Sequence, residues 1–326
     1  MTGDVNGETA LPEIHLIGGV IVDLIMGRVA PWPQPGTETF VPHSELRAGG
    51  PAGNTALALK ALGVPHHVIC NIGNDMFGAW LTATFGEAAQ RWNKVRRPTA
   101  ISVAIEHPGG ERSFFTEPGH LAAQEVGEIL DMLPVKAVPG SIALLTGAFL
   151  HPDLLDSFAG LLQAIGRRGF TVALDTGWPP HGWDEATREK VSSWLAWCDH
   201  ILFNEIESRS LSGAASVEAA ARWMRERAKP DAVLVIKRGA EGASAWIGGE
   251  IVHARAPAVQ VVDTTGAGDA FNAGYLGACL RGAPVAVALA EGVEVASAAI
   301  ASSPREYRPP RSRTVAAASQ ASSTAD

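Results

Sequence analysis

Short apolar runs recur along this chain, spaced so that one amphipathic helix fits between each and the next. The runs are IHLIGGVIV (14–22), HHVICNIG (66–73), SIALLTG (141–147), TVALDTG (171–177), HILFN (200–204) and AVLVIKRG (232–239). Stretches with helical spacing lie between them, at 54–63, 153–168, 184–197 and 216–228. A run that does not alternate polar with apolar has both faces buried, which is the mark of a parallel strand covered by helices on both sides. The expected fold class is therefore α/β, with a mostly parallel central sheet. Hydrophobic residues make up 46% of the 326, enough for a large core. In such sheets ligands bind beyond the carboxyl ends of the strands, so the polar residues that end these runs are the ones to inspect.

Two regions break the rhythm. Residues 37–47, and the pair 99–107 and 112–116, read as β-structure without an intervening helix, the pair forming a hairpin around PGGE. They predict a small second sheet, drawn from about 22–47 and 99–117, that either stands over the site as a lid or decorates an edge of the main sheet. Residues 1–12 and 304–326 are polar or rich in Pro, Ser and Arg; a disordered N-terminus and a flexible tail are expected around a folded unit at 13–303. The net charge of −8 argues against a nucleic-acid partner. The absence of a signal-like start or a long apolar run predicts a cytoplasmic protein without a membrane partner. Three scattered cysteines, Cys70, Cys198 and Cys279, fit no zinc or disulfide spacing and are expected to be reduced thiols.

The strongest chemical signal is DTTGAGDAFNAGYLGACL at 263–280. Gly266, Ala267 and Gly268 precede Asp269 at the start of a helical pattern. Small residues there let backbone N–H groups face outward where the helix dipole is positive, which makes an anion hole. An aspartate beside it can take a proton from an attacking hydroxyl. Taken alone, a GxGD string reads equally as a glycine-rich loop with a capping Asp. A second string, AGGPAGNTALALKALG (48–63), places Gly49 and Gly50 where a backbone can approach a polyol, and Asn54 offers it a donor and an acceptor. No G-x-x-x-x-G-K-[ST] string is present, so a P-loop is unsupported.

These two strings resemble the signatures of the ribokinase-type (PfkB) carbohydrate kinase family, and further matches in the same order extend the resemblance over about 14–303. The resemblance implies a ribokinase-like fold with a small β-sheet lid. It also implies an ATP-dependent phosphotransferase that moves the γ-phosphoryl group to a hydroxymethyl group of a sugar. In that reading Asp269 is the general base, and Gly266, Ala267 and Gly268 form the anion hole. Asp23, Gly49, Gly50 and Asn54 bind the acceptor. Asn204, Lys237, Gly239 and Gly242 hold the nucleotide, and Glu207 of FNEIES helps order Mg2+ through water. The family builds its adenine pocket from the last helices, here about 284–303, and offers a monovalent cation (K+) site near Asp263 and Thr265. Lid sheets in the family often pair, so a homodimer through the lid is expected. Pro51 and Ala52 stand where many ribokinases carry a Lys, which weakens a claim for ribose. Either Glu117 or His120 is expected to face the acceptor. A nucleoside as acceptor stays open, as do a catalytically quiet sugar- or nucleotide-binding relative and an interaction protein on the same fold.

Overall fold

The computed structural model describes residues 11–108 and 112–307. The expectations for 1–10, for the hairpin tip at 109–111 and for 308–326 lie outside the described residues. The run 14–22, expected as one strand, is two. β1 (Ile14–Gly18) stops at a glycine pair, and β2 (Ile21–Met26) continues in a different sheet. A Cβ at Gly18 would stand 2.2 Å from the carbonyl oxygen of Thr146, so the chain swerves where only glycine passes. β3 (Ser44–Gly49) is shorter than the β-region expected at 37–47. α1 (Pro51–Ala61) follows Gly50, which sits at φ +83°, and opens with Pro at its first position.

The run 66–73 is also divided, into β4 (His66–Ile69) and β5 (Asn71–Gly73). After α2 (Met76–Phe85), β6 (Asn93–Val95) pairs with β5 in a two-stranded ribbon that the sequence pattern did not suggest. β7 (Ile101–Glu106) and β8 (Arg112–Glu117) are the expected hairpin strands. The alternating half then runs α3 (Val126–Met132), β9 (Ile142–Thr146), α4 (Phe158–Arg167), β10 (Thr171–Asp175) and α5 (Glu185–Leu195). It continues with β11 (His200–Asn204), α6 (Glu205–Ser212), α7 (Val217–Arg225) and β12 (Val233–Lys237). β13 (Ala243–Ile247), β14 (Glu250–Ala254), α8 (Ala267–Leu280) and α9 (Val285–Ile300) complete it.

The described residues form an eight-stranded sheet in the order β14-β13-β12-β11-β10-β9-β1-β4. It is parallel from β4 to β12 and closes with an antiparallel edge at β13 and β14. Successive residues feed opposite layers. On β9, Leu144 packs into the layer of α1, α8 and α9, while Ala143 and Leu145 pack into the layer of α4, α5 and α7. Both faces are buried, which is why these strands read as unbroken apolar runs. The second sheet, β3-β2-β7-β8, is separate from the first and is the expected small sheet; it is no edge decoration. Cys70 and Cys198 are buried, Cys279 is half-buried, and all three are free thiols.

α8 and α9 make the closest helix pair in the fold, and small residues permit it. A Cβ on Gly274 would meet the Glu291 carbonyl oxygen at 2.8 Å, and one on Gly292 would meet the Phe271 ring at 2.9 Å. Gly274→Ala should therefore destabilise the protein by about 1–3 kcal/mol through overpacking. Gly127→Ala on α3, where a Cβ meets nothing within 4 Å, should be neutral or stabilising by up to about 1 kcal/mol, because Ala favours the helix. Chemical denaturation of the two variants checks the contrast.

Candidate active site

The carboxyl ends of β9, β10, β11 and β12 open into one cavity of about 780 Å3, through Thr146, Asp175, Asn204 and Lys237. The first turn of α8 closes its floor with Gly266, Ala267, Gly268 and Asp269. Register explains why the strand ends meet there: Gly18, Thr146 and Asp175 are aligned across β1, β9 and β10, and Asn204 is aligned with Lys237. The far end is apolar and comes from α9 and the segment before α8, with Val259, Val293, Ala296 and Ile300 around Ser297. Gly239 and Gly242 border the same cavity on the turn after β12. Gly242 has φ +94°, and a Cβ on it would lie 2.0 Å from the Ala254 carbonyl oxygen.

A second cavity, of about 560 Å3, lies on the other side of the α8 turn, between the small sheet and α1 and α2. Asp23, Arg47, Asn54, Thr265 and Arg305 line it. Asp269 stands at the junction: it borders the first cavity, and its Oδ2 accepts from Asn54 Nδ2, of the second, at 3.0 Å. Gly266 sits at φ +68° as the residue that caps α8; a Cβ there would press within 3.0 Å of both Asn54 and Arg305. The Ala267 amide donates to the Thr264 carbonyl at 3.1 Å. That removes the Ala267 amide from the expected anion hole and leaves those of Gly266, Gly268 and Asp269, the last two heading the helix where the first turn offers no intrahelical acceptor. The Asp269 carboxyl is pushed up to about 7, first by burial and then by the Asp175 charge, against the pull of Asn54, Lys237 and Arg305.

The two glycines expected to touch an acceptor border neither cavity. Gly49 is required by Asp23, whose Oδ2 would lie 1.9 Å from a Cβ there, and Gly50 by the Gly19 carbonyl at 2.5 Å. They bring α1 and Asp23 close together. Burial raises the Asp23 carboxyl to about 6, partly opposed by Arg47. His120 is wholly buried; its Nδ1 accepts from the Ala100 amide at 2.9 Å, and burial lowers its pKa to about 4. It supports the backbone and cannot face an acceptor, whereas Glu117 is exposed and accepts from the Gly119 amide.

The N-x-x-E string is a capping box at the start of α6. Asn204 Oδ1 accepts from the Glu207 amide at 2.8 Å, and Glu207 Oε2 accepts from the Asn204 amide at 2.9 Å. Glu207 also lines the first cavity, and burial, then Asp175, pushes its carboxyl up to about 7. Lys237 is tied down as well: Nζ donates to Asp175 Oδ2 at 2.7 Å and to Asn272 Oδ1 at 3.4 Å.

Other members of the site escaped the sequence reading. Asp175 ends one of the apolar runs but was not singled out, and Asn272 lies inside the DTTGAGDAFN string without an assigned role. The least legible group is a charge cluster on Asp263. Its Oδ2 accepts from Arg47 at 2.6 Å and from Arg305 at 3.4 Å; its Oδ1 accepts from Arg112 and from the Thr265 amide. Arg112 also reaches the Thr265 hydroxyl. Burial works against ionisation of Asp263, but these donors hold its carboxyl well below the usual range. Arg47 comes from β3 and Arg112 from β8, so the small sheet is pinned to the α8 loop from both edges. Arg305 comes from the segment read as tail, and Tyr307 beside it packs against the core.

Known proteins share this sequence pattern and this fold. The pfkB family carbohydrate kinase profile matches residues 12–305. A fructokinase of Klebsiella pneumoniae is 28% identical over 293 residues, covering 83% of this chain and 86% of that protein. A 2-dehydro-3-deoxygluconokinase of Dickeya dadantii is 28% identical over 273 residues, covering 77% and 87%. Among solved structures, a fructokinase double mutant of Vibrio cholerae O395 in its fructose-, ADP- and potassium-bound form superposes with a TM-score of 0.75. That match is 21% identical and covers 90% of this chain and 94% of that one, so it speaks for the fold alone. With the profile spanning nearly all of the folded unit, the chain belongs to the pfkB family of carbohydrate kinases and has the ribokinase-like fold.

Proposed function

We propose that this sugar kinase moves the γ-phosphoryl group of ATP to a hydroxymethyl group of a ketose or a sugar acid, with Asp269 as the general base. The observation that carries the proposal is the position of Asp269 between two cavities, hydrogen-bonded to Asn54 of one and opening on the other. The larger cavity suits a nucleotide: its apolar end accepts a base, and its polar end collects the strand termini. The smaller one takes the acceptor, with Asp23 and Asn54 as partners for its hydroxyls. Gly49 and Gly50 then act indirectly, by letting Asp23 and α1 come together. The relatives named fructokinase and 2-dehydro-3-deoxygluconokinase favour a ketose or a keto acid. Arg47 and Arg305 in the smaller cavity would suit the acidic group of the latter.

In the reaction the acceptor hydroxyl gives its proton to Asp269 as its oxygen bonds the γ-phosphorus. The bond from that phosphorus to the β-γ bridging oxygen breaks, and ADP leaves with the electron pair. The helix-end amides of Gly268 and Asp269 meet the charge on the transferred group. Among the described residues no group of three or more His, Cys, Asp or Glu is placed to hold a metal. The residues therefore fit a Mg2+ carried by the nucleotide phosphates, with Glu207 as a contact through water; bound there, it would neutralise phosphate charge. Asn204, Gly239 and Gly242 shape the wall beside the phosphates, Asn204 through its cap on α6.

Asp269→Asn should lower kcat by about three decades or more while leaving ATP binding nearly intact, from the loss of a general base and its charge. Substrate-dependent ADP release over a panel of ketoses, sugar acids and nucleosides measures this; a variant with a tenth of wild-type turnover would refute the assignment. The pH profile follows from the raised carboxyl. Asp269 is protonated, and inactive as a base, below about 7, so kcat/KM for the acceptor should fall tenfold per unit below that pH and level off above it. A flat profile between pH 5 and 8 would contradict it.

Two accessory features belong to the proposal. Leu46, Phe114 and Phe115 are exposed on the edge strands of the small sheet, which suits pairing of two lids. Phe115→Glu should convert a dimer to monomer in sedimentation equilibrium if the pairing is correct. Potassium enters through the related fructokinase. Asp263 and Thr265 are engaged by Arg47, Arg112 and Arg305, so a cation there must compete with guanidinium groups.

A further inference from the structure

Lys237, Asp175 and Asn272 form a closed triangle under the α8 turn that the reaction as described does not use. They come from three separate elements: the last residue of β12, the last of β10 and the first two turns of α8. Lys237 Nζ donates to Asp175 Oδ2 at 2.7 Å and to Asn272 Oδ1 at 3.4 Å, and Asn272 Nδ2 donates to the same Asp175 oxygen at 2.6 Å. Asn272 is fully buried, and the Lys237 side chain is 12% exposed. The ammonium lies directly behind the anion-hole turn: a Cβ on Gly268 would be 3.3 Å from Nζ and 3.9 Å from Cε. Lys237 is thus a fixed charge rather than a mobile arm. Burial opposes its ionisation, but Asp175 and Glu207 more than offset this and hold it protonated.

We propose that Lys237, oriented by Asp175 and Asn272, is a positioning residue that keeps the Asp269 carboxylate available as a base. The inference rests on the reading of Asp269 given above. The charge count around the cavity floor supports it. The Asp175 charge acts on both Glu207 and Asp269, Lys237 is the cation that acts on all three, and Arg305 acts on Asp269 from the other cavity. Asn54, the remaining hydrogen-bond partner of Asp269, carries no charge. Tyr307, which the Asp269 charge reaches, is neutral at these pH values, since burial raises its pKa further. Desolvation and Asp175 raise the Asp269 carboxyl, whereas Lys237 lowers it, so the triangle contains one group of each sign. Lysine and aspartate there should consequently shift the base in opposite directions. An ion pair electrostatically remote from Asp269 would shift it in neither direction.

The test is the pH profile of acceptor kcat/KM, which reports ionisations of the free enzyme, for the wild type, Lys237→Met and Asp175→Asn. Thermal midpoints and binding of a non-hydrolysable ATP analogue accompany each variant. For Lys237→Met the acid limb should move up by about one pH unit or more, so that the rate at pH 7 falls about fivefold or more further than the rate at pH 9. For Asp175→Asn, which keeps the size of the side chain and an acceptor oxygen for Lys237, the limb should move down. Losses of equal size at every pH, with the limb unmoved in both variants, would overturn the proposal. If Lys237→Met does not fold, Asp175→Asn decides alone: a limb that stays or rises refutes the inference. Asp269→Asn separates the two readings. If it remains active the base assignment itself is wrong; if it is dead while the limb ignores the triangle, only this inference fails.

Discussion

Gly266 takes a positive φ of 68° between the loop after β14 and the first turn of α8, with Asn54 and Arg305 so close that a methyl group would press on both. That contact brings α1 against the end of α8. It lets Asn54, on the wall of the smaller cavity, reach the Asp269 carboxyl, which borders the larger one. A β-branched or bulky residue at 266 would have to leave the left-handed region, which L side chains disfavour. The helix start would then swing away from Asn54, and the junction between the cavities would be lost.

The loop before α8 and the first turn of that helix hold two aspartates in opposite electrostatic regimes, six residues apart. Asp263 accepts from three arginines and a backbone amide, and it stays ionised through the whole physiological range. Asp269 has Asn54 as its hydrogen-bond partner and a carboxylate, Asp175, as a neighbour, and its carboxyl is pushed up to about 7. The difference is one of donors. An aspartate surrounded by guanidinium groups is a permanent anchor, and here it ties β3 and β8 to the loop. An aspartate that is buried with few donors can exchange a proton near neutral pH. The neighbouring Lys237 is fixed by Asp175 and Asn272, so the local field does not depend on a flexible side chain finding its place.

Much of this was legible beforehand because it is local. Unbroken apolar runs of four to six residues mark strands covered on both faces, and β9 to β12 fall within the predicted runs. The DTTGAGDAFN string marks a helix start because small residues followed by an apolar helical pattern have few other uses. The errors have physical causes. The runs at 14–22 and 66–73 were each read as one strand because hydrophobicity is continuous across Gly18–Gly19 and Cys70, whereas the chain leaves the eight-stranded sheet at both, for the four-stranded sheet at the first and the two-stranded ribbon at the second. Gly49 and Gly50 are also approached by Asp23 and by the Gly19 carbonyl, a packing role that neighbouring residues do not reveal. His120 looked available in a polar stretch and is instead buried against the Ala100 amide.

The sequence by itself determined the strands of the alternating half, their order and the small-residue helix start at the head of α8, since each is written in the spacing of neighbouring residues. Only the tertiary structure decided which side chains share a cavity. Asp175, Lys237 and Asn272 are separated by up to 97 positions, and Arg47 lies 216 from Asp263. Nothing in the immediate neighbours of Asp175 or Arg47 distinguishes them from ordinary strand-end or surface residues, and the strings that mark Lys237, Asn272 and Asp263 do not say what each touches. Their proximity comes from strand register and from a helix docking across the sheet, and burial there turns ordinary ionisable groups into coupled ones, because desolvation strengthens every charge interaction that remains.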